Sequence, residues 1–270
     1  MSRILTSLHG RILGLDSDGK LVCPGGFRSG DHGSQFDLPS PSIVTRFDDF
    51  TGGSQAFSTT IIDGWRSRKG SDGACVDWTV TPAVGGTCVG TIGSTTASMA
   101  VSGIQLDAGL DWKANQGGLV LQARVKLSQI TTIAAFIGFT DQTGALEMPI
   151  NSAASADTLT TTATDAVGFM FDTSMSTDNW WLTGVATDVD ATAQNSTFAP
   201  VADTYETLRI ELTTAGVASF FRNGIQVGTA MSGAVTATVA LTPVIAGFNR
   251  TTTGTPTITA DYVGVSGNRA

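Results

Sequence analysis

Positive charge is what this chain of 270 residues has least to spare: 15 basic residues stand against 23 acids, a net charge of −8, and there are only four lysines, Lys20, Lys69, Lys113 and Lys126. Phosphate contacts need clustered Lys and Arg, so neither nucleic acid nor an anionic membrane is an expected partner. Cysteine is scarce and odd in number: Cys23, Cys75 and Cys88 lie far apart. That spacing excludes a disulfide framework and the paired CxxC ligands of a zinc site, leaving reduced structural thiols. Histidine is rarer, with His9 and His32 both in the leading segment and no G-x-S-x-G elbow to hold a nucleophile. Neither a P-loop nor a dinucleotide glycine fingerprint occurs, so no cofactor is expected. No segment reaches the roughly 18 apolar residues of a membrane span. The opening MSRILTSLHGRILG has no apolar h-region with a small-residue cleavage site, and the expectation is a soluble chain made in a cytoplasm. Two sequons, at Asn195 and Asn249, are what chance supplies in so threonine-rich a sequence.

What is present reads as strands. Apolar residues make up 41% of the chain and charged ones only 14%, which leaves a surface of Thr, Ser, Asn, Gln and Gly, the make-up of an all-β protein. From residue 43 the segments SIVTRFDDF, GACVDWTVTPA, SMAVSGIQLD, GLVLQARVKLS, IAAFIGFTD, AVGFMFDT, WWLTGVAT, TLRIELT, VASFFRN, IQVGTA, TPVIAGFNR and TITADYVGVSG follow one another with Gly, Asn, Asp and Pro between them. In GLVLQARVKLS, Leu119, Leu121, Ala123, Val125 and Leu127 fall on one face and Gln122, Arg124, Lys126 and Ser128 on the other. No amphipathic helix is evident, and TTTATDAV or VADTYET supplies one short turn at most. Strands without crossover helices pair antiparallel, so two packed antiparallel sheets are expected, and no repeat points to a propeller or solenoid.

Residues 1–42 differ. ILGLDSDGKLVC reads as two extended runs joined by a DSDG turn; as an EF-hand it fails, with glycine at the fourth loop position and Phe27 at the twelfth. CPGGFRSGDHGSQFDLPSPS reads as a linker. The expected division is an N-terminal arm over 1–42 and a β-sandwich over 43–270. Arg3, His9, Arg11, Phe27 and Arg28 are the arm's candidates for contact with a neighbouring molecule.

In LRIELTTAGVASFFRNGIQVGT, a strand, a TTAG turn, a second strand and an Asn223-Gly224 turn into a third strand predict a meander whose aromatics fill the space between the sheets. This stretch resembles the late hairpin of concanavalin-like jelly rolls, the superfamily of laminin-G-like modules, legume lectins and β-glucanases. DAVGFMFDT is similar to its central strand, FDDFTGG to its opening strand, and TADYVGVSG to a last strand that pairs back near the first. The leading MSRILTSLHGRILGLDSDGKLV resembles arms of tailed-bacteriophage virion proteins. The resemblance covers residues 43–265 and speaks to fold more than function.

Chemistry is harder to find. The superfamily's glucanases carry an E-x-D-x-x-E type strand, but the three glutamates here, Glu147, Glu206 and Glu211, form no such run, and the odd spacing of Glu206 and Glu211 sends them to opposite faces. DTSMSTDN at 172–179 and FTDQTGALE at 139–147 offer oxygen ligands of the kind calcium takes, but Asx turns account for the same residues, and no metal is expected. Of Trp180 and Trp181, beside Asp178 and Asn179, one indole is expected in the core and the other outward, where these four residues could meet a glycan or a partner. These readings give a non-enzymatic structural protein of a phage particle, capsid-decorating or tail-associated. It is expected to dock on the major capsid or tail protein through its arm, as a homo-oligomer, assembling in the host cytoplasm and residing in the virion. The alternative is a carbohydrate-binding module or glucanase-like enzyme acting on host surface glycans.

Overall fold

The computed structural model describes residues 4–6, 12–15, 21–22, 43–51, 54–62, 64–82, 84–153 and 157–268. The chain divides into two compact units, Met1–Ile43 and Val44–Ala270. In the first, Ile4–Thr6, Ile12–Leu15 and Leu21–Val22 form a three-stranded antiparallel sheet. The turn read at DSDG lies outside the described residues.

The second unit is a β-sandwich. Its nine-stranded sheet runs in the order Ile225–Met231, Ala218–Arg222, Glu206–Leu212, Leu119–Leu127, Thr257–Asn268, Thr87–Thr91, Val76–Thr81 and Gln55–Ala56, and Ile43–Asp48 also pairs with Thr257–Asn268. The last long strand thus returns beside the first, as the resemblance implied. The eight-stranded sheet runs Val189–Asp190, Trp181–Ala186, Ala166–Asp172, Ile133–Thr140, Thr242–Asn249, Ile104–Asp107 and Arg66–Lys69, with Gln194–Asn195 alongside Trp181–Ala186. The core lies between them, around Trp65, Trp78, Trp180, Phe139, Phe169, Phe171 and Phe220. Full burial of such side chains contributes about 1.5–3 kcal/mol each.

The alternation read in Leu119–Leu127 is observed, with odd-numbered residues buried and even-numbered ones half-exposed. Ile133–Thr140 and Ala166–Asp172 are instead buried on both faces. A second apolar cluster explains this: Met148, Ile150, Ala163 and Met175, from the loops and from the hairpin of Ile150–Ser152 with Leu159–Thr161, pack onto Phe136, Met170, Trp181, Val244 and Phe248. The outer face of the eight-stranded sheet is therefore covered, and its central strands read as continuous apolar runs.

Two details depart from the sequence reading. SMAVSGIQLD is not one strand, because Met99–Ser102 forms a single helical turn before the strand Ile104–Asp107. Gly103 ends that turn, and a Cβ there would stand 2.3 Å from Met99 O. Neither TTTATDAV nor VADTYET is helical.

Candidate functional site: the outer face of the nine-stranded sheet

The meander of Glu206–Leu212, Ala218–Arg222 and Ile225–Met231 forms as expected, and Asn223 and Gly224 take φ of 49° and 82° at its tight turn. Its two phenylalanines part company. Phe220 is buried in the core, but Phe221 is on the outer face, a correction to the expectation that both fill the space between the sheets. Alternation forces this split on adjacent strand residues.

Register places Phe221 in a row. Phe221 is opposite Arg209, Arg209 opposite Gln122, and Gln122 opposite Gly264. Beyond Gly264 comes the ring of Phe47, 59% exposed; a Cβ built on Gly264 would meet Phe47 Cδ2 at 3.1 Å. The glycine thus leaves room for the ring to lie down on the sheet. Five strands at spacings of about 4.8 Å make this row roughly 19 Å long. A second row, Tyr262, Arg124 and Thr207, runs alongside, and Asn223 joins it by accepting the Thr207 amide N–H at 2.9 Å. Gln122 Nε2 donates to the Tyr262 hydroxyl at 2.8 Å, and the Phe47 and Tyr262 rings are 5.6 Å apart. Gln122, Thr207, Arg209, Asn223 and Gly224 line an open depression of ≈ 440 Å³ between the two rows.

Electrostatically the face is built from pairs. Arg124 binds Asp261 at 2.7 Å, Arg209 meets Glu211 at 3.2 Å, and Lys126 comes within 3.8 Å of Asp203. Burial and the nearby Asp261 charge push the Tyr205 phenol above its ordinary range, so it stays protonated. Register also confirms that Glu206 points inward and Glu211 outward.

The residues singled out in the sequence do not assemble into one site. Arg3, His9, Arg11, Phe27 and Arg28 lie outside the described residues, as does Cys23, while Cys75 and Cys88 are buried free thiols. Trp180 does enter the core and Trp181 does leave it, but only 1% and 8% of their surfaces are exposed, because the second apolar cluster roofs Trp181. Neither indole offers a stacking surface. Asp178 is exposed beside them, and Asn179 donates to Asn195 Oδ1 at 2.9 Å.

The two oxygen-rich loops are closed by the protein's own groups. Asp172 accepts the amides of Ser174 and Ser152 and is gripped by Arg250, whose Nε is 2.8 Å away. In the other loop, Arg68 donates to the carbonyls of Thr143 and Ala145, so a guanidinium occupies oxygens a cation would use. Among the described residues, no group of three His, Cys, Asp or Glu side chains is placed to hold a metal.

No protein-family profile matches the sequence, and no curated protein matches it. Solved structures do match. The chain is similar to a protein of unknown function from Shewanella oneidensis MR-1 (TM-score 0.53, 14% identity, covering 91% of this chain and 98% of that one). It is also similar to the β-glucanase of Bacillus licheniformis (0.53, 13%, 82% and 97%) and to a prokaryotic β-1,3-1,4-glucanase, a lichenase, from a mouse hindgut metagenome (0.53, 9%, 82% and 98%). The fold is a concanavalin-like jelly roll.

These neighbours correct the functional expectation drawn from sequence. Two of the three are glucanases and the third has no known function, so the reading as a non-enzymatic phage scaffold is withdrawn. That reading took the lack of an E-x-D-x-x-E strand as weighing against a glucanase-like enzyme, and the neighbours favour the glycan-directed alternative instead. The row on the outer face of the nine-stranded sheet was missed because its parts are far apart in sequence. The legible signal was local: the Phe220-Phe221 pair, which must send one ring outward, and the exposed Phe47 position in SIVTRFDDF.

Proposed function

We propose that this jelly roll acts on glycans and that a saccharide chain lies along the row Phe47, Gly264, Gln122, Arg209 and Phe221. The observation that carries the reading is the row itself: aromatic rings at both ends, with an amide and a guanidinium between them, on an open polar surface. Pyranose rings present apolar C–H faces and an equatorial belt of hydroxyls, and a recognition surface for them combines ring stacking with fixed planar hydrogen-bonding groups. The β-glucanase neighbours support the same direction, since their fold is the one seen here.

The test is affinity electrophoresis of the full chain through gels containing mixed-linkage β-glucan or other neutral and acidic polysaccharides, with reducing-end release measured on the same substrates. Retardation by at least one polysaccharide, lost when Gln122 and Arg209 are both replaced by alanine, is the expected result. Unretarded migration in every gel, together with no release of reducing ends, would sink the proposal.

A further inference from the structure

Resting on that glycan reading, we infer that the ring on which a sugar stacks is Phe47 and that the saccharide this face takes is uncharged. Among the described residues, four aromatic rings belong to this face: Phe47, Tyr205, Phe221 and Tyr262. Two already carry cations. The Arg124 guanidinium is 4.3 Å from the Tyr205 ring centre, with Lys126 Nζ at 5.2 Å, and the Arg209 guanidinium is 4.1 Å from the centre of Phe221. A cation over a ring takes the π-surface that sugar C–H groups would use.

Phe47 carries no cation from among the described residues and is the most exposed of the four. Tyr262 meets it at an interplanar angle of 33°, so the two rings form a shallow bent floor beside Gly264. The Tyr262 hydroxyl and Gln122 are bonded to each other at the inner edge of that floor. They are placed to exchange hydrogen bonds with the hydroxyls of a sugar stacked on Phe47. Phe221, at the far end, is a support for Arg209 and not a platform.

The charge argument follows from the same pairs. Arg124, Lys126 and Arg209 face Asp261, Asp203 and Glu211, so three cations and three anions cancel locally. A uronate or sulfate ester would find only cations whose charge these carboxylates already balance, and would approach a chain of net charge −8. An uncharged saccharide meets no such barrier. It uses the amides of Gln122 and Asn223 and the outer N–H groups of Arg209 without breaking a pair.

The experiment is calorimetric titration of the full chain with a neutral β-linked gluco-oligosaccharide and with an oligogalacturonide of equal length, at about 0.05 M and about 0.5 M salt. The expected result is binding of the neutral sugar with an affinity unchanged by salt, weakened about tenfold or more in Phe47→Ala and by a clearly smaller factor in Phe221→Ala, which loses only the support of Arg209. Gly264→Val provides a second handle, because its side chain pushes the Phe47 ring off the sheet without removing it, and it should weaken binding as Phe47→Ala does. Neutral-sugar binding that survives both Phe47→Ala and Gly264→Val overturns the platform. Preferred, salt-sensitive binding of the oligogalacturonide overturns the uncharged class while leaving the glycan reading standing. If neither sugar binds, this inference falls, and the electrophoresis across polysaccharides decides separately whether the glycan reading stands.

Discussion

The indole N–H of Trp180 donates to Glu206 Oε2 at 2.6 Å, and Arg222 grips the other oxygen of the same carboxylate, with Nε at 3.2 Å. Glu206 is 3% exposed, so this three-way contact ties the strand Glu206–Leu212 to the opposite sheet through a buried charge. Removing one partner leaves that charge uncompensated. Arg222→Ala is expected to lower unfolding free energy toward the low end of the ~3–5 kcal/mol typical of broken buried pairs, since Arg222 itself is partly exposed. The double variant Glu206→Gln with Arg222→Met should recover most of the loss in urea denaturation. Equal damage in the single and double variants would show that packing, not charge, is at stake.

How much of this was readable beforehand varies with the range of the interaction. The alternation in Leu119–Leu127 and the Asn223-Gly224 turn are local, and the structure contains both. The covered outer face of the eight-stranded sheet was not legible, because the roof comes from short, small-residue segments around Met148, Ile150 and Ala163 whose partners are remote strands. For that reason Trp181, placed outward by its period, is nonetheless buried. The row from Phe47 to Phe221 needs the register of five strands spread from residue 43 to residue 268, and nothing local encodes it.

Asp141 gives a pH-dependent prediction. Burial raises its carboxyl above the ordinary 3.8, the Asp165 charge adds to the rise, and one of its oxygens is buried with no hydrogen-bond partner. A carboxyl raised in the folded state binds its proton more tightly there than in the unfolded chain. Its contribution to stability is therefore greatest while it stays protonated, and falls as pH rises from 3.8 through the raised folded value. Asp141→Asn removes the charge and is expected to be more stable than the native protein at neutral pH, with the difference closing as pH falls below 3.8. Thermal unfolding across that range checks it, and a gain of equal size at low pH would count against the argument.

The leading unit should be dispensable for the sandwich. The inter-sheet core draws on residues from Phe50 to Val265, with Val44 packed against it, so a fragment starting at residue 43 keeps every one of these side chains. It is expected to show the near-ultraviolet dichroism of the full chain and to unfold within a few degrees of it. A fragment starting at residue 52 should be much less stable. It loses the strand Ile43–Asp48, the core ring of Phe50 and the Asp48 carboxylate that accepts the Trp65 indole N–H at 2.9 Å.

Arg68 should decide whether the loop after Ile133–Thr140 is ordered. Its guanidinium donates to the carbonyls of Thr143 and Ala145 and lies 3.3 Å from Asp107 Oδ2, while Gln105 links Asp107 at 2.6 Å to the backbone N–H of Glu147 at 3.1 Å. One side chain therefore neutralises a buried carboxylate and fixes the loop over the edge of the sheet. Asp107 keeps Arg66, at 2.7 Å, when Arg68 is lost, so the fold survives at a cost of about 3 kcal/mol, the lower bound for a broken buried pair. Arg68→Lys retains the charge but cannot reach two carbonyls and a carboxylate at once, because an ammonium lacks the planar fork, and should fall between the native protein and Arg68→Ala. Hydrogen exchange separates the loop effect from the global one: amides of residues 141–148 should lose protection in Arg68→Ala, while those of Leu119–Leu127, at the centre of the other sheet, should not. Uniform loss across both segments would mean that Arg68 supports the sandwich as a whole and that the loop has no local dependence on it.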